Sequence, residues 1–236
     1  MVENLQEPEK NRRYTYADYL NWKNRSGSYT HSDPEEEKKS GFLGIYQAPE
    51  QYELINGEAF VIPEMPVENQ AISTELFFAL GDWLSDKPCR AFSGLDLRPF
   101  PKDDNSDDTV LRPDLLVVCD KSKLSPDAQK AWKKPMMHNG AGSALGSPDL
   151  VIEIVSSSAS SRELQLKFDA YLKAGVPEYW VINPEKKSVQ VHVYEKGSYS
   201  SVDYKGEVKL VSTILPGFSL ELKNLWEAAE YTGLAD

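Results

Sequence analysis

Asp114 and Glu153 each interrupt a run that is otherwise apolar, Pro113-Asp-Leu-Leu-Val-Val118 in the first case and Leu150-Val-Ile-Glu-Ile-Val155 in the second. An ionised carboxylate is costly to bury alone, so each acid calls for a cation or a metal ion beside it. If 149–155 is extended, Glu153 shares a face with Val151 and Val155 while Leu150, Ile152 and Ile154 point the other way. Lys167 follows Leu164 by three residues and precedes Tyr171 by four, which sets its stem at the edge of a helix's buried stripe with its ammonium reaching toward a sheet. Two carboxylates can hold one hard, Mg²⁺-type ion, with water in the remaining positions. The amine can then orient the attacking water or stabilise charge developing on a phosphate. Those are the roles that phosphodiester hydrolysis requires. The same residues also suit a plain ion pair under a snorkelling lysine, and spacing alone leaves both readings open.

Several elements must position these side chains. Tyr52-Glu-Leu-Ile55 and Glu58-Ala-Phe-Val-Ile62 flank Asn56-Gly57, which predicts a hairpin with a type I′ turn. Ile72, Leu76, Phe77, Leu80 and Leu84 fall at helical spacing over 68–84. Residues 90–99 are expected as one strand, 102–108 as a solvated loop, and 111–119 and 150–155 as strands covered on both faces. A helix is predicted over 162–174, with Ser160 and Glu163 as a capping box and Gly175 at its stop. Strands over 178–182 and 188–194 form a second hairpin, strands at 208–210 and 218–222 lie at an edge, and a helix over 224–231 closes the chain. At the start, 14–22 suits a short helix capped by Thr15. This order gives a mixed sheet with helices packed on it, an α/β fold with α+β as the alternative.

The full chain of 236 residues carries 26 Lys and Arg against 37 Asp and Glu, a formal charge of −11, which excludes a nonspecific basic coat for nucleic acid but not a local basic groove. Lys121, Lys123, Lys130, Lys133 and Lys134 supply such a local excess. The run Glu35-Glu-Glu-Lys-Lys39 marks 23–40 as an inserted loop, and 140–146 reads as a flexible Gly-rich linker. With Cys89 and Cys119 alone, a disulfide framework is not expected, and a reducing, cytoplasmic setting follows. No leader and no membrane span is indicated. His31, His138 and His192 lack zinc spacing, Ser156 to Ser161 lacks a nucleophile elbow, and Trp180 is expected in the core.

Four blocks together carry a resemblance. They are Tyr52-Glu-Leu-Ile-Asn-Gly-Glu58, Arg112-Pro-Asp-Leu-Leu-Val-Val118, Pro148-Asp-Leu-Val-Ile-Glu-Ile-Val-Ser156 and Lys167-Phe-Asp-Ala-Tyr-Leu-Lys-Ala-Gly-Val-Pro-Glu-Tyr-Trp-Val-Ile-Asn-Pro184. The chain resembles the Uma family of "putative restriction endonucleases", a bacterial group abundant in cyanobacteria and placed in the PD-(D/E)XK nuclease superfamily. The likeness runs over about 14–226, with extra residues at 23–48 and 127–146. It implies a restriction-endonuclease-like mixed central sheet flanked by helices over 49–236, preceded by an N-terminal helix and charged insert over 1–48.

By this resemblance Asp114 and Glu153 match the family's acids, and Glu58 is a further acid toward the metal or a solvated turn residue. The superfamily's usual Lys, two residues past the second acid, is Val155 here. Family members share that departure, and the amine then comes from Lys167. Asn69 stands where many relatives have His, and Ser157 where the family often has Pro. The implied activity is Mg²⁺-dependent hydrolysis of DNA, with Mn²⁺ as a substitute ion, by a homodimer if both strands are cut. The alternative is a catalytically inactive module of the same fold that binds nucleic acid or protein.

Overall fold

The Asn56-Gly57 pair turns the chain where its dihedral needs predict. In a computed structural model that describes residues 8–9, 11–26, 50–130, 132–133, 136–138, 142–155 and 160–230, β1 (Gln51–Ile55) and β2 (Glu58–Ile62) pair antiparallel with Ile55 opposite Glu58. Asn56 and Gly57 take φ of 50° and 79°, the two left-handed positions of a type I′ turn. Helix α1 (Tyr16–Ser26) runs past its expected end at Trp22, whose ring lies 5.5 Å from that of Tyr52. Thr15 precedes it, but as a donor: its N–H and its hydroxyl both reach Asp18 Oδ2, at 2.8 and 2.9 Å. The acidic run at 35–37 and the rest of the expected insert over 27–48 lie outside the described residues.

The chain divides into two compact units, 1–63 with 102–109, and 64–101 with 110–236. The 102–109 loop is not simply solvated as its aspartates suggest. Asp107 is buried, its carbonyl accepts the N–H of Tyr16 at 2.7 Å, and that of Asp108 accepts the N–H of Gly57 at 2.6 Å.

The second unit contains α2 (Val67–Trp83), β3 (Arg90–Ser93), β4 (Asp96–Arg98), β5 (Leu115–Val118), a 3₁₀ turn at Lys121–Lys123, α3 (Pro126–Gln129), β6 (Met136–His138), β7 (Ser143–Leu145), β8 (Leu150–Ile154), α4 (Ser161–Ala174), β9 (Glu178–Asn183), β10 (Ser188–Glu195), β11 (Ser198–Lys205), β12 (Lys209–Val211), β13 (Ser219–Glu221) and α5 (Leu222–Glu230). Seven strands form one mixed sheet in the order β11-β10-β9-β8-β5-β3-β6, parallel between β8 and β9 and between β3 and β6. Strand alternation separates its faces. Ile152, Ile154, Trp180 and Ile182 enter the core with Leu76 and Leu80 of α2 and Leu225 and Trp226 of α5, while Glu153 lies on the opposite face under α4. This is the expected α/β arrangement, a central mixed sheet flanked by helices.

Several expectations are corrected. The strand predicted over 90–99 breaks at Gly94 (φ 66°), so that β4 leaves the main sheet and pairs with β7 instead. The Gly-rich stretch is not all linker. Gly142, at φ 92°, sits where an added Cβ would come within 2.3 Å of Ser125 Oγ and 2.7 Å of Ala128 N, and the β7 strand follows it directly. Gly140 and Ala141 lie outside the described residues. The expected edge strands pair with each other as β12 and β13, and the main sheet ends instead on β11. Cys89 and Cys119 are disulfide-bonded rather than free. They flank the cross-strand pair Arg90 and Val118, so the antiparallel register of β3 and β5 joins residues 30 apart in the chain. Among the described residues, no helix is long and apolar enough to cross a membrane.

Candidate active site

Asp114 is placed by what precedes it. Leu97 and Leu111 exchange both backbone hydrogen bonds, at 2.7 and 2.8 Å, and Arg112 Nε donates to Gly94 O at 3.2 Å beside Asp96. Pro113 has no N–H for a ladder, so β5 begins only at Leu115. The β5–β8 register pairs Leu115 with Ile152 and Leu116 with Val151, and one step further sets Asp114 opposite Glu153. The Asp114 carboxylate turns onto that strand, where Oδ2 accepts the Ile154 N–H at 2.6 Å.

Glu153 is met from above by α4. That helix starts where Ser160 Oγ accepts the Glu163 N–H at 3.1 Å, and stops at Gly175 with φ 71°, as its capping signals predict. Lys167 Nζ lies 2.9 Å from Glu153 Oε1 and 3.0 Å from Oε2, and the Tyr171 hydroxyl donates to Oε1 at 2.6 Å. Glu153 and Lys167 are each only 6% exposed, so their charges face each other with little water between them. Tyr179, beneath α4 on the same face, holds its phenol proton well above the ordinary range. Burial is the main cause and the Glu153 charge adds to it, Lys167 opposes, and the Asp114 charge contributes in the same direction as Glu153. Of the three residues singled out from sequence, Glu153 and Lys167 are thus in contact, and Asp114 lies across from Glu153 on the neighbouring strand.

Tyr171 was legible only as a member of the apolar stripe. Its place four residues after Lys167 was the available sign that its hydroxyl and the ammonium could share one acceptor. Glu58 opens β2 in the other unit, half-buried. Among the described residues, no group of three or more His, Cys, Asp and Glu is arranged to hold a metal ion. Of the basic segment, Lys121 and Lys123 lie in the 3₁₀ turn, Lys123 is 3.6 Å from Asp149, and Lys130 pairs with Asp127 at 2.6 Å. Lys134 lies outside the described residues.

With this geometry in hand, the chain can be set beside known proteins. The model of the Uma2 family, described as "Putative restriction endonuclease", matches residues 41–223, a span that contains Glu58, Asp114, Glu153 and Lys167. The chain belongs to the Uma2 family. A crystal structure of "a putative nuclease" from Anabaena variabilis ATCC 29413 superposes on this Uma2 chain with a TM-score of 0.59 at 20% identity, over 80% of this chain and 96% of the other. At that identity the likeness establishes the fold. No curated protein sequence matches the chain.

One consequence of this face is a pH dependence. His192 of β10 is buried and its Nδ1 lies 2.7 Å from Ser201 Oγ. Burial lowers its pKa below the usual histidine value, with Asp203 opposing. The folded chain therefore takes up this proton only at lower pH than the unfolded chain, which does so below about pH 6.5. Stability drops as pH falls from that value toward the lower folded one. In urea unfolding at pH 7.5 and 5.5, His192→Phe is expected to lose less midpoint on acidification than the wild type; equal losses would remove His192 as a cause.

Proposed function

We propose that the chain is a metal-dependent nuclease that hydrolyses DNA phosphodiester bonds, with Asp114, Glu153 and Lys167 as its catalytic set. The observation that carries this reading is the convergence of a register-opposed acid pair with a helical amine on one face of the sheet. Asp114 and Glu153 are hard oxygen donors and fit Mg²⁺, which proteins commonly hold through one or two carboxylates, leaving the other positions to water and substrate phosphate. Glu58 is proposed as a further acid toward that ion. Restriction-endonuclease-like families generally use divalent ions. Such an ion, with Mn²⁺ as substitute, supplies Lewis-acid polarisation of a phosphoryl oxygen and a more acidic bound water.

The chain's own groups do the remainder. Lys167 neutralises Glu153 and carries the positive charge that a phosphate oxygen meets as negative charge grows on it. Tyr171 fixes the Glu153 carboxylate by its hydrogen bond, and the Ile154 N–H orients that of Asp114. Lys121, Lys123, Lys130, Lys133 and Lys134, with Arg162, are proposed to hold the phosphate backbone despite the chain's negative balance. A homodimer would supply the second site that cutting both strands requires.

The test is metal removal. Purified protein with plasmid and single-stranded DNA is expected to cut in Mg²⁺ or Mn²⁺ and to stop in EDTA, and calorimetric titration should show Mn²⁺ binding that Asp114→Asn weakens at least tenfold. Asn keeps an acceptor for the Ile154 N–H, so the fold is spared. Identical Mn²⁺ binding by both proteins would overturn the enzyme reading in favour of a binding module.

A further inference from the structure

Beside the acid pair, α4 and strands β9 and β10 border an open cleft of about 360 Å³, at the lower end of the usual size of small-ligand sites. The register ties it to the chemistry. Glu153 pairs with Val181, and Val181 with Gln190, so all three lie in one row across the sheet, with Gln190 two strand spacings, roughly 10 Å, from the acid. Val181 and Gln190 line the cleft, and Leu164, Gln165, Phe168 and His192 complete the walls that matter here.

These walls select a ligand class. Among the described residues, no Lys or Arg lines the cleft, which does not suit a phosphate. The rings are clustered: Phe168 meets His192 edge-on at 5.1 Å, and His192 stacks on Tyr179 at 5.4 Å. The two amides are oriented by carboxylates. Gln165 Nε2 donates to Asp169 at 2.8 Å and Gln190 Nε2 to Asp203 at 3.0 Å. An ionised carboxylate only accepts, so the NH₂ must face it, and the carbonyl oxygen of each glutamine is the end left to accept from a ligand. The cleft thus offers π-faces and acceptors to a flat, neutral ligand with donors of its own.

We propose that this cleft receives one nucleobase from the strand being cut, next to the scissile phosphate, and prefers bases with an exocyclic amino group. The inference rests on the nuclease reading above and adds what it leaves open, the state of the substrate. A base inside a duplex has both faces covered by its stacked neighbours and cannot lie against Phe168, so the occupant comes from single-stranded DNA or is extruded. Adenine N6 and cytosine N4 offer NH₂ donors to the glutamine oxygens, and thymine has no amino group. Phe168, half-buried in the lining, is the ring proposed for stacking, a contact that tolerates any base.

The experiment uses fluorescence anisotropy of the full chain with short single-stranded oligo-dA, oligo-dC, oligo-dT and an abasic strand, with Ca²⁺ replacing Mg²⁺ to prevent cutting. The wild type is expected to bind dA and dC about tenfold more tightly than dT or the abasic strand. Gln190→Leu, a change at an exposed side chain, should lower dA and dC to the level of dT, and Phe168→Ala should weaken all three bases toward the abasic value. Equal wild-type affinity for all four strands, or an unchanged preference in Gln190→Leu, overturns the base site alone if the protein still cuts DNA. A protein that neither binds nor cuts any of them overturns the nuclease reading and this one with it.

Discussion

Lys167→Met is expected to lower the free energy of unfolding by about 3 kcal/mol and to abolish cleavage, because it leaves the Glu153 charge buried without its counter-ion. The loss lies at the low end of the roughly 3–5 kcal/mol seen when one partner of a buried pair is removed. The reason is local: the Tyr171 hydroxyl, 2.6 Å from Glu153 Oε1, still donates after the ammonium is gone. Glu153→Gln alone takes this carboxylate charge from beside the buried ammonium and is expected to cost a similar amount. The double variant Glu153→Gln/Lys167→Met removes both charges and should recover most of the loss, since two neutral side chains of like size carry no desolvation penalty for ions. Urea unfolding of the four proteins measures this coupling, and additive losses would show that the two side chains do not depend on each other. Cleavage separates structure from chemistry. A pair that serves only the fold would let the double variant regain activity along with stability, whereas a catalytic pair leaves it stable and inactive.

Sequence could anticipate this pair because both of its signals are local. Strand alternation assigns Glu153 a face, helical spacing assigns Lys167 an edge, and the caps Ser160 and Gly175 set the helix ends without tertiary help. The Asn56-Gly57 turn was legible for the same reason. What escaped depended on partners distant in the chain. The three-residue strands β6 and β7 exist through their pairing with β3 and β4, and nothing in Ser143-Ala-Leu145 announces a strand. Strand β11, Ser-Tyr-Ser-Ser-Val-Asp-Tyr-Lys, is largely exposed at the sheet edge and so lacks the alternation that betrays a half-buried strand. The disulfide is hidden likewise, since only the β3–β5 register makes Cys89 and Cys119 neighbours. Gln190 and His192 came to line a cleft only through the packing of α4 on their face.

Glu178 is the second residue whose loss should be severe, and it has no part in the proposed chemistry. It is fully buried on the core face of β9, where Oε1 accepts the Trp180 indole N–H at 2.7 Å and Oε2 accepts the backbone N–H groups of Thr213 and Ile214 at 2.7 and 3.1 Å. One carboxylate thereby satisfies three donors and ties the segment before β13 to the main sheet. Glu178→Leu orphans the buried indole N–H, at roughly 1–3 kcal/mol for a buried unsatisfied group, and takes the acceptor from the Thr213 and Ile214 N–H groups nearer the surface, so a loss of about 3 kcal/mol is expected. Against a typical domain stability of about 5–15 kcal/mol, that is enough to leave a substantial unfolded fraction on warming. Glu178→Gln should fall between wild type and Leu, because the amide oxygen can still serve Thr213 and Ile214 while the NH₂ confronts the indole N–H, donor against donor. Removing the indole donor with Trp180→Phe should then cost less in the Glu178→Gln background than in the wild type, a sign of coupling that thermal and urea unfolding can read. Equal costs in the two backgrounds would mean that Trp180 and Glu178 are held by their packing rather than by the hydrogen bond between them.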